Sequence, residues 1–179
     1  AMEASNVIEF PPLSETLGKL HLTKKKVLIP EMNRMTAHLF AATFRSFGIE
    51  AQVLRTYGGL DLGKKYTSGK ECYPCQVTLG DILCFAQEER ERLGQAFNPE
   101  DYIYFMPESE GPCRFGLYNK YQRIVLDSFP GLKKLKISSV TTKDGYSVEG
   151  LLEKEKVLSF KKAGFLSVVA ADIMDRLTW

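Results

Sequence analysis

The chain has 179 residues, 44% hydrophobic and 26% charged, the balance of a globular domain able to bury one core, and its 24 basic and 22 acidic residues leave a formal charge of only +2. That balance gives no electrostatic case for nucleic acid or an anionic membrane, so function is expected in a site. No apolar run approaches a membrane span and "AMEASNVIEF" lacks the basic, apolar and small-residue regions of a secretory signal, so a cytoplasmic protein is expected.

Residues 1–24, with two prolines and the run "LSETLGKLHL", read as a lead-in that packs in part as a short helix. The opening Ala-Met reads as a cloning remnant, and "ADIMDRLTW" stops inside a helical pattern, so residues 25–179 are expected to be a domain cut from a longer protein. Within it, "KKKVLIP" reads as a strand. "RMTAHLFAATFRSFG" carries helical spacing and ends in Gly48, and "IEAQVLR" reads as a second strand. Strand, helix and strand over about thirty residues make a βαβ unit with a right-handed crossover and parallel strands. Residues 56–71 are rich in glycine and polar residues and read as a long loop at the C-terminal end of the second strand, where such sheets place ligands.

"VTLGDILCFAQEERERLG" is then a helix ending at Gly94, and "NPEDYIYFMP" a turn and a third strand. After the loop "ESEGPC" comes the helix "FGLYNKYQRIVLDSF", then "LKKLKISSV" as a fourth strand, "TTKDGYS" as a loop, and a predominantly helical remainder. The fold class this predicts is α/β, a Rossmann-like three-layer open sheet, mostly parallel, with about four strands and helices on both faces. Cys72 with Cys75 ends one strand-to-helix loop and Cys113 another, so all three are expected on one sheet edge despite the 38 residues from Cys75 to Cys113.

The four cysteines are Cys72, Cys75, Cys84 and Cys113, and without a secretory signal they point to metal binding or redox chemistry rather than a disulfide framework. Cys113 reads as the N-terminal residue of a helix, where peptide dipoles and free N–H groups favour thiolate, with Arg114 adding a positive charge beside it. "ECYPCQ" carries a CxxC. Zinc would need a second pair, and neither His21 nor His38 is spaced to supply it. Two chemistries remain open. Thiol–disulfide exchange would use Cys72 as nucleophile and Cys75 as resolving thiol, while an iron–sulfur cluster would draw thiolates from separate loops and account for Cys72 and Cys113 together. Cys84 is expected in the core and His38 as a satisfied structural histidine. Glu108 and Glu110 are expected to be solvated, Tyr118 and Tyr121 to pack, and Lys24 to Lys26 to lie on the surface. There is no GxxxxGK[ST], GxSxG or HExxH motif.

The pair "YTSGKECYPCQVTLGD" and "YIYFMPESEGPCRFGLYNKYQRIVLD" resembles the domain of 2-hydroxyglutaryl-CoA dehydratase activator-related proteins, also described as CoA-substrate-specific enzyme activases, over about half the chain from Lys26 through the fourth strand. The resemblance rests on the forms E-C-x-P and G-P-C-R-x-G. It implies a lobe like those of the 2-hydroxyacyl-CoA dehydratases, in which loop cysteines hold a [4Fe–4S] cluster on a low-potential electron path. Cys72 and Cys113 match the motif cysteines. Cys75 falls where the resemblance implies none and stands as an additional candidate ligand, with Arg114 as a neighbour of the cofactor. The implied partners are the dehydratase or activator component, the remaining domains of a longer protein, and an acyl-CoA. An activator's ATPase loops have no counterpart here, so no ATP hydrolysis is expected, and the dehydratases' third cysteine comes from a later lobe. A third reading is a non-catalytic module that docks a protein or an acyl-CoA.

Overall fold

The computed structural model describes residues 25–140 and 152–178. The lead-in 1–24 and the loop "TTKDGYS" lie outside them.

Four short strands form the sheet: β1 (Lys26–Ile29), β2 (Glu50–Val53), β3 (Tyr102–Phe105) and β4 (Lys136–Ser138). All neighbours are parallel and the order is β2-β1-β3-β4. The mostly parallel sheet expected from the sequence is therefore parallel throughout. Among the described residues five α-helices accompany it: α1 (Arg34–Ser46), α2 (Leu60–Lys65), α3 (Tyr73–Leu93), α4 (Tyr118–Asp127) and α5 (Lys154–Leu177). α2 interrupts the stretch read as one long loop.

β1, β3 and β4 are buried on both sides, while the edge strand β2 exposes Glu50 and Gln52, and the alternation along the strands assigns their buried residues to two cores. Leu28, Tyr102, Tyr104 and Ile137 face the core built by α3 and α4 with Leu79, Ile82 and Leu126. Val27, Ile29, Ile103 and Phe105 face the other, built by α1 and α5 around Phe44, Ala41 and Phe160. In that second core Phe40, Phe44, Phe47, Phe105 and Phe160 meet ring to ring at centroid distances of 4.9 to 6.3 Å. Aromatic edges on faces add directional attraction to the area they bury.

α1 starts where the sequence expects, because Asn33 caps it: its Oδ1 accepts the Thr36 N–H at 2.8 Å. It ends at Gly48, whose φ of +80° is the left-handed conformation that terminates helices. α3 begins four residues earlier than "VTLGD". Pro74 sits in its first turn, where a missing N–H costs nothing, and Cys72 is the N-cap.

Strand order reverses between β1 and β3, since the chain leaves β1 toward β2 on one side and β3 toward β4 on the other. In open α/β sheets this reversal opens a crevice at the C-terminal ends of the strands. α3 carries the chain back from β2 to β3, so its N-terminus lies at that edge. The loop leaving β3 lies there too.

Candidate functional site at the C-terminal edge

Cys72 is half-buried at the N-terminus of α3, and Cys75 lies one turn further in and is buried. Cys113 is exposed in the loop from β3. It precedes a four-residue 3-10 turn, Arg114–Leu117, not the α-helix that the sequence predicts; α4 starts only at Tyr118. The head of a long α-helix, 21 residues, is therefore occupied by Cys72 and not by Cys113.

The Arg114 Nη1 reaches across to the other loop and donates to the Lys70 carbonyl at 2.6 Å, which ties the two cysteine loops together. The first loop is braced a second time, because the Glu71 carboxylate accepts from the Ser68 N–H at 2.9 Å and from its hydroxyl at 3.0 Å. Those hydrogen bonds, with one from the Glu71 backbone as the largest effect, hold the carboxyl below its usual range.

Two adjoining hollows result. One, of about 190 Å³, is lined by Cys72, Cys75, Arg114, Tyr118 and Tyr121. The other, of about 370 Å³, is lined by Cys113, Arg114, Gly116, Glu108 and Lys120. Arg114 and Leu117 form the wall between them. Tyr118, buried beneath, turns its hydroxyl toward the Cys72 sulfur. Burial first, then that hydrogen bond and the sulfurs of Cys72, Cys75 and Cys113, keep its phenol protonated well above the ordinary range. Tyr121 donates its hydroxyl to the Tyr66 carbonyl at 2.7 Å, so both tyrosines pack as expected.

The three sulfurs are not equivalent. Burial pushes the Cys75 thiol up to about 12, with the negative charge of Glu71 and Cys72 adding to the effect. A thiol held neutral in the core is a poor nucleophile. Among the described residues no three His, Cys, Asp or Glu side chains gather in a metal-holding group. Cys72 and Cys113 place two soft thiols at one edge, in adjoining hollows.

Beneath the hollows runs a polar seam that sequence reading missed. The Thr78 hydroxyl donates to the Pro74 carbonyl at 2.8 Å, Gln122 Nε2 donates to Thr78 Oγ1 at 3.0 Å, and the Tyr104 hydroxyl donates to the Thr78 carbonyl at 2.9 Å. Asn119 donates to Glu108 at 2.8 Å and to Ser139 at 2.6 Å, and Lys120 pairs with Glu108 at 3.3 Å. Glu108, expected to be solvated, is thus half-buried and anchors α4 to the end of β3. Asp81 is 2% exposed, and neither carboxylate oxygen has a well-formed hydrogen bond. Its carboxyl titrates at about 7, raised chiefly by burial and slightly by Glu31, against partial relief from the Thr56 side chain and the Tyr57 N–H. The signal for this seam was available. Asp81 and Thr78 interrupt the apolar run Val77 to Leu83, a pattern that a merely solvated polar face does not produce.

Other expectations need correction. His38 is exposed on the solvent side of α1 rather than satisfied within the structure. Cys84 is half-buried, its thiol donating to Glu88 at 3.5 Å, rather than a core filler. Lys26 is half-buried and paired with Glu50 at 2.9 Å. His21 and Lys24 lie outside the described residues.

The fold and the site together define an open parallel α/β domain with a paired-cysteine edge. Comparison with protein-family models, with curated proteins and with solved structures finds no match to this chain. Among the described residues no helix is long and apolar enough to cross a membrane.

Proposed function

We propose that the chain is a cluster-bearing domain of the kind found in 2-hydroxyacyl-CoA dehydratases and their activator-related proteins, in which Cys72 and Cys113 are two thiolate ligands of an iron–sulfur cluster. Further ligands come from outside the described residues, from another part of the same protein or from the dehydratase or activator component. The observation that supports this best is the Arg114 bridge to Lys70, which holds two loops from different strands so that their cysteines flank one buried tyrosine. Such a cluster supplies one-electron transfer at low potential. The chain's own residues position it: Arg114 fixes the loops and offsets the negative charge of thiolate ligands, while Tyr118 directs a hydroxyl at the Cys72 sulfur. The protein works in the cytoplasm, where thiols stay reduced, and acts on an acyl-CoA only through its partner.

The test is anaerobic reconstitution with iron and sulfide, with a small thiol present to fill open iron positions, read by iron content, visible absorption and EPR. Wild type and Cys75→Ala are expected to take up cluster, and Cys72→Ala and Cys113→Ala to lose most of it. A wild type that binds no iron, or cysteine variants that both keep a full complement, would contradict the proposal.

One observation favours a second reading, thiol–disulfide exchange. Cys72 caps a long helix and Cys75 lies one turn behind it, the arrangement in which an outer sulfur attacks a disulfide and an inner one displaces the second thiol. The Cys75 thiol, pushed up to about 12, makes that second displacement slow, and Cys113 takes no part in it. A reversible Cys72–Cys75 disulfide in equilibrium with glutathione, unaffected by Cys113→Ala, would favour this reading over the first.

A further inference from the structure

α5 has two faces, and among the described residues one of them is packed. Phe160, Gly164 and Ala171 are buried against α1, and the Ser167 hydroxyl meets that of Thr43 at 2.7 Å. At about 100° per residue the opposite face carries Leu158, Phe165, Leu166, Val169, Ile173 and Leu177. These side chains are left exposed among the described residues, Phe165 at 69% and Leu166 at 63%. Single exposed apolar residues are ordinary, but a continuous stripe of six along one helix marks an interaction surface.

The charges at its ends say what covers it. The same face begins at Glu155 and ends at Arg176, about 32 Å apart along the axis at 1.5 Å per residue. Beside a parallel copy, each charge would meet its own sign. Beside an antiparallel copy, Glu155 faces Arg176, Leu158 faces Ile173, and Phe165 and Leu166 meet at the two-fold axis. Lys162, the one charge inside the stripe, then lays its aliphatic stem over Val169 of the second copy with its amine in water. Within its own helix Arg176 pairs only with Asp172 at 3.2 Å, both side chains well exposed, and so remains available.

We propose that two copies of this chain associate through antiparallel pairing of α5, with Glu155–Arg176 ion pairs closing both ends of an apolar seam. The contact is isologous, one patch meeting itself. A single helix pair covers less than the roughly 800 Å² per partner of a standard interface, so the dimer is weak and depends on concentration.

Sedimentation equilibrium of the full chain, up to hundreds of micromolar, tests this. Wild type is expected to show a reversible monomer–dimer equilibrium. Glu155→Arg sets arginine against arginine and is expected to weaken it roughly tenfold. Glu155→Arg with Arg176→Glu restores it, and Val169→Glu abolishes it. All three variants should keep wild-type helicity by circular dichroism, since the substituted side chains are exposed. A wild type that stays monomeric throughout overturns the proposal, as when the stripe is covered by residues 1–24 or by another protein. So does a Glu155→Arg or Val169→Glu chain that pairs as well as wild type, or a charge swap that restores nothing.

Discussion

Cys72 and Cys75 stand three residues apart and share almost nothing that governs a thiol. One is half-buried at the positive end of a helix, while the other is buried among Leu79, Tyr104 and Tyr118 and held neutral. Under limiting alkylation of the metal-free chain, peptide mass spectrometry is expected to find Cys113 modified first, Cys72 next, and Cys75 only after unfolding. Early modification of Cys75 would remove the reason for separating it from the other two. Asp81 makes a prediction of a different kind. Its carboxyl is raised from an ordinary 3.8 to about 7 in the folded chain. Between those values the folded state keeps a proton that the unfolded state has released, so the contribution of Asp81 to stability is greatest below about pH 4, falls as pH rises toward 7, and is level above that. The loss is on the order of 4 kcal/mol at 1.36 kcal/mol per unit. Asp81→Asn, nearly the same shape without the charge, is expected to flatten that slope and to unfold at higher denaturant than wild type at pH 8. An unchanged slope would mean that Asp81 ionises freely in the folded protein.

At the scale of elements, the site depends on how closely α2 lies on α3. A Cβ at Gly59 would fall 1.9 Å from the Gly80 carbonyl oxygen, and one at Gly80 would fall 2.1 Å from that of Gly59. Both obstacles are backbone. Gly80→Ala therefore forces the helices apart, which is expected to cost about 3 kcal/mol and lower Tm by roughly 10 °C in a thermal melt. A shift within a degree of wild type would mean that the helices part freely. This contact also explains why α3 looks poorly amphipathic in sequence. Its first half is buried on nearly every side, by the sheet on one and by α2 on the other, so no solvated stripe marks it. The loops are tied differently. Arg114→Ala removes an exposed hydrogen bond and should leave Tm almost unchanged while hydrogen exchange quickens through Gly69 to Cys72. Unaltered exchange there would show that the Arg114 bridge does not order the loop.

For the molecule as a whole, the strand and helix pattern was legible because parallel strands buried on both faces are short apolar runs between helices, and "KVLI" and "YIYF" are such runs. Placing Cys72, Cys75 and Cys113 at one edge followed from topology alone. What did not follow was anything set by contacts distant in sequence. The 3-10 turn after Cys113 is fixed by Gly116 lying against the Ser109 carbonyl, where a Cβ would come within 2.2 Å. The reach of Arg114 spans 44 residues, and the burial of Cys75 depends on α4. Spacing along the chain carries no record of these. The central claim, that the edge presents Cys72 and Cys113 as a ligand pair with Cys75 apart, is tested most directly by alkylating the chain before and after loading with iron and sulfide. Loading is expected to protect Cys72 and Cys113 together and to leave Cys75 unreactive in both states. A loaded protein in which Cys113 reacts as fast as in the metal-free chain would contradict it.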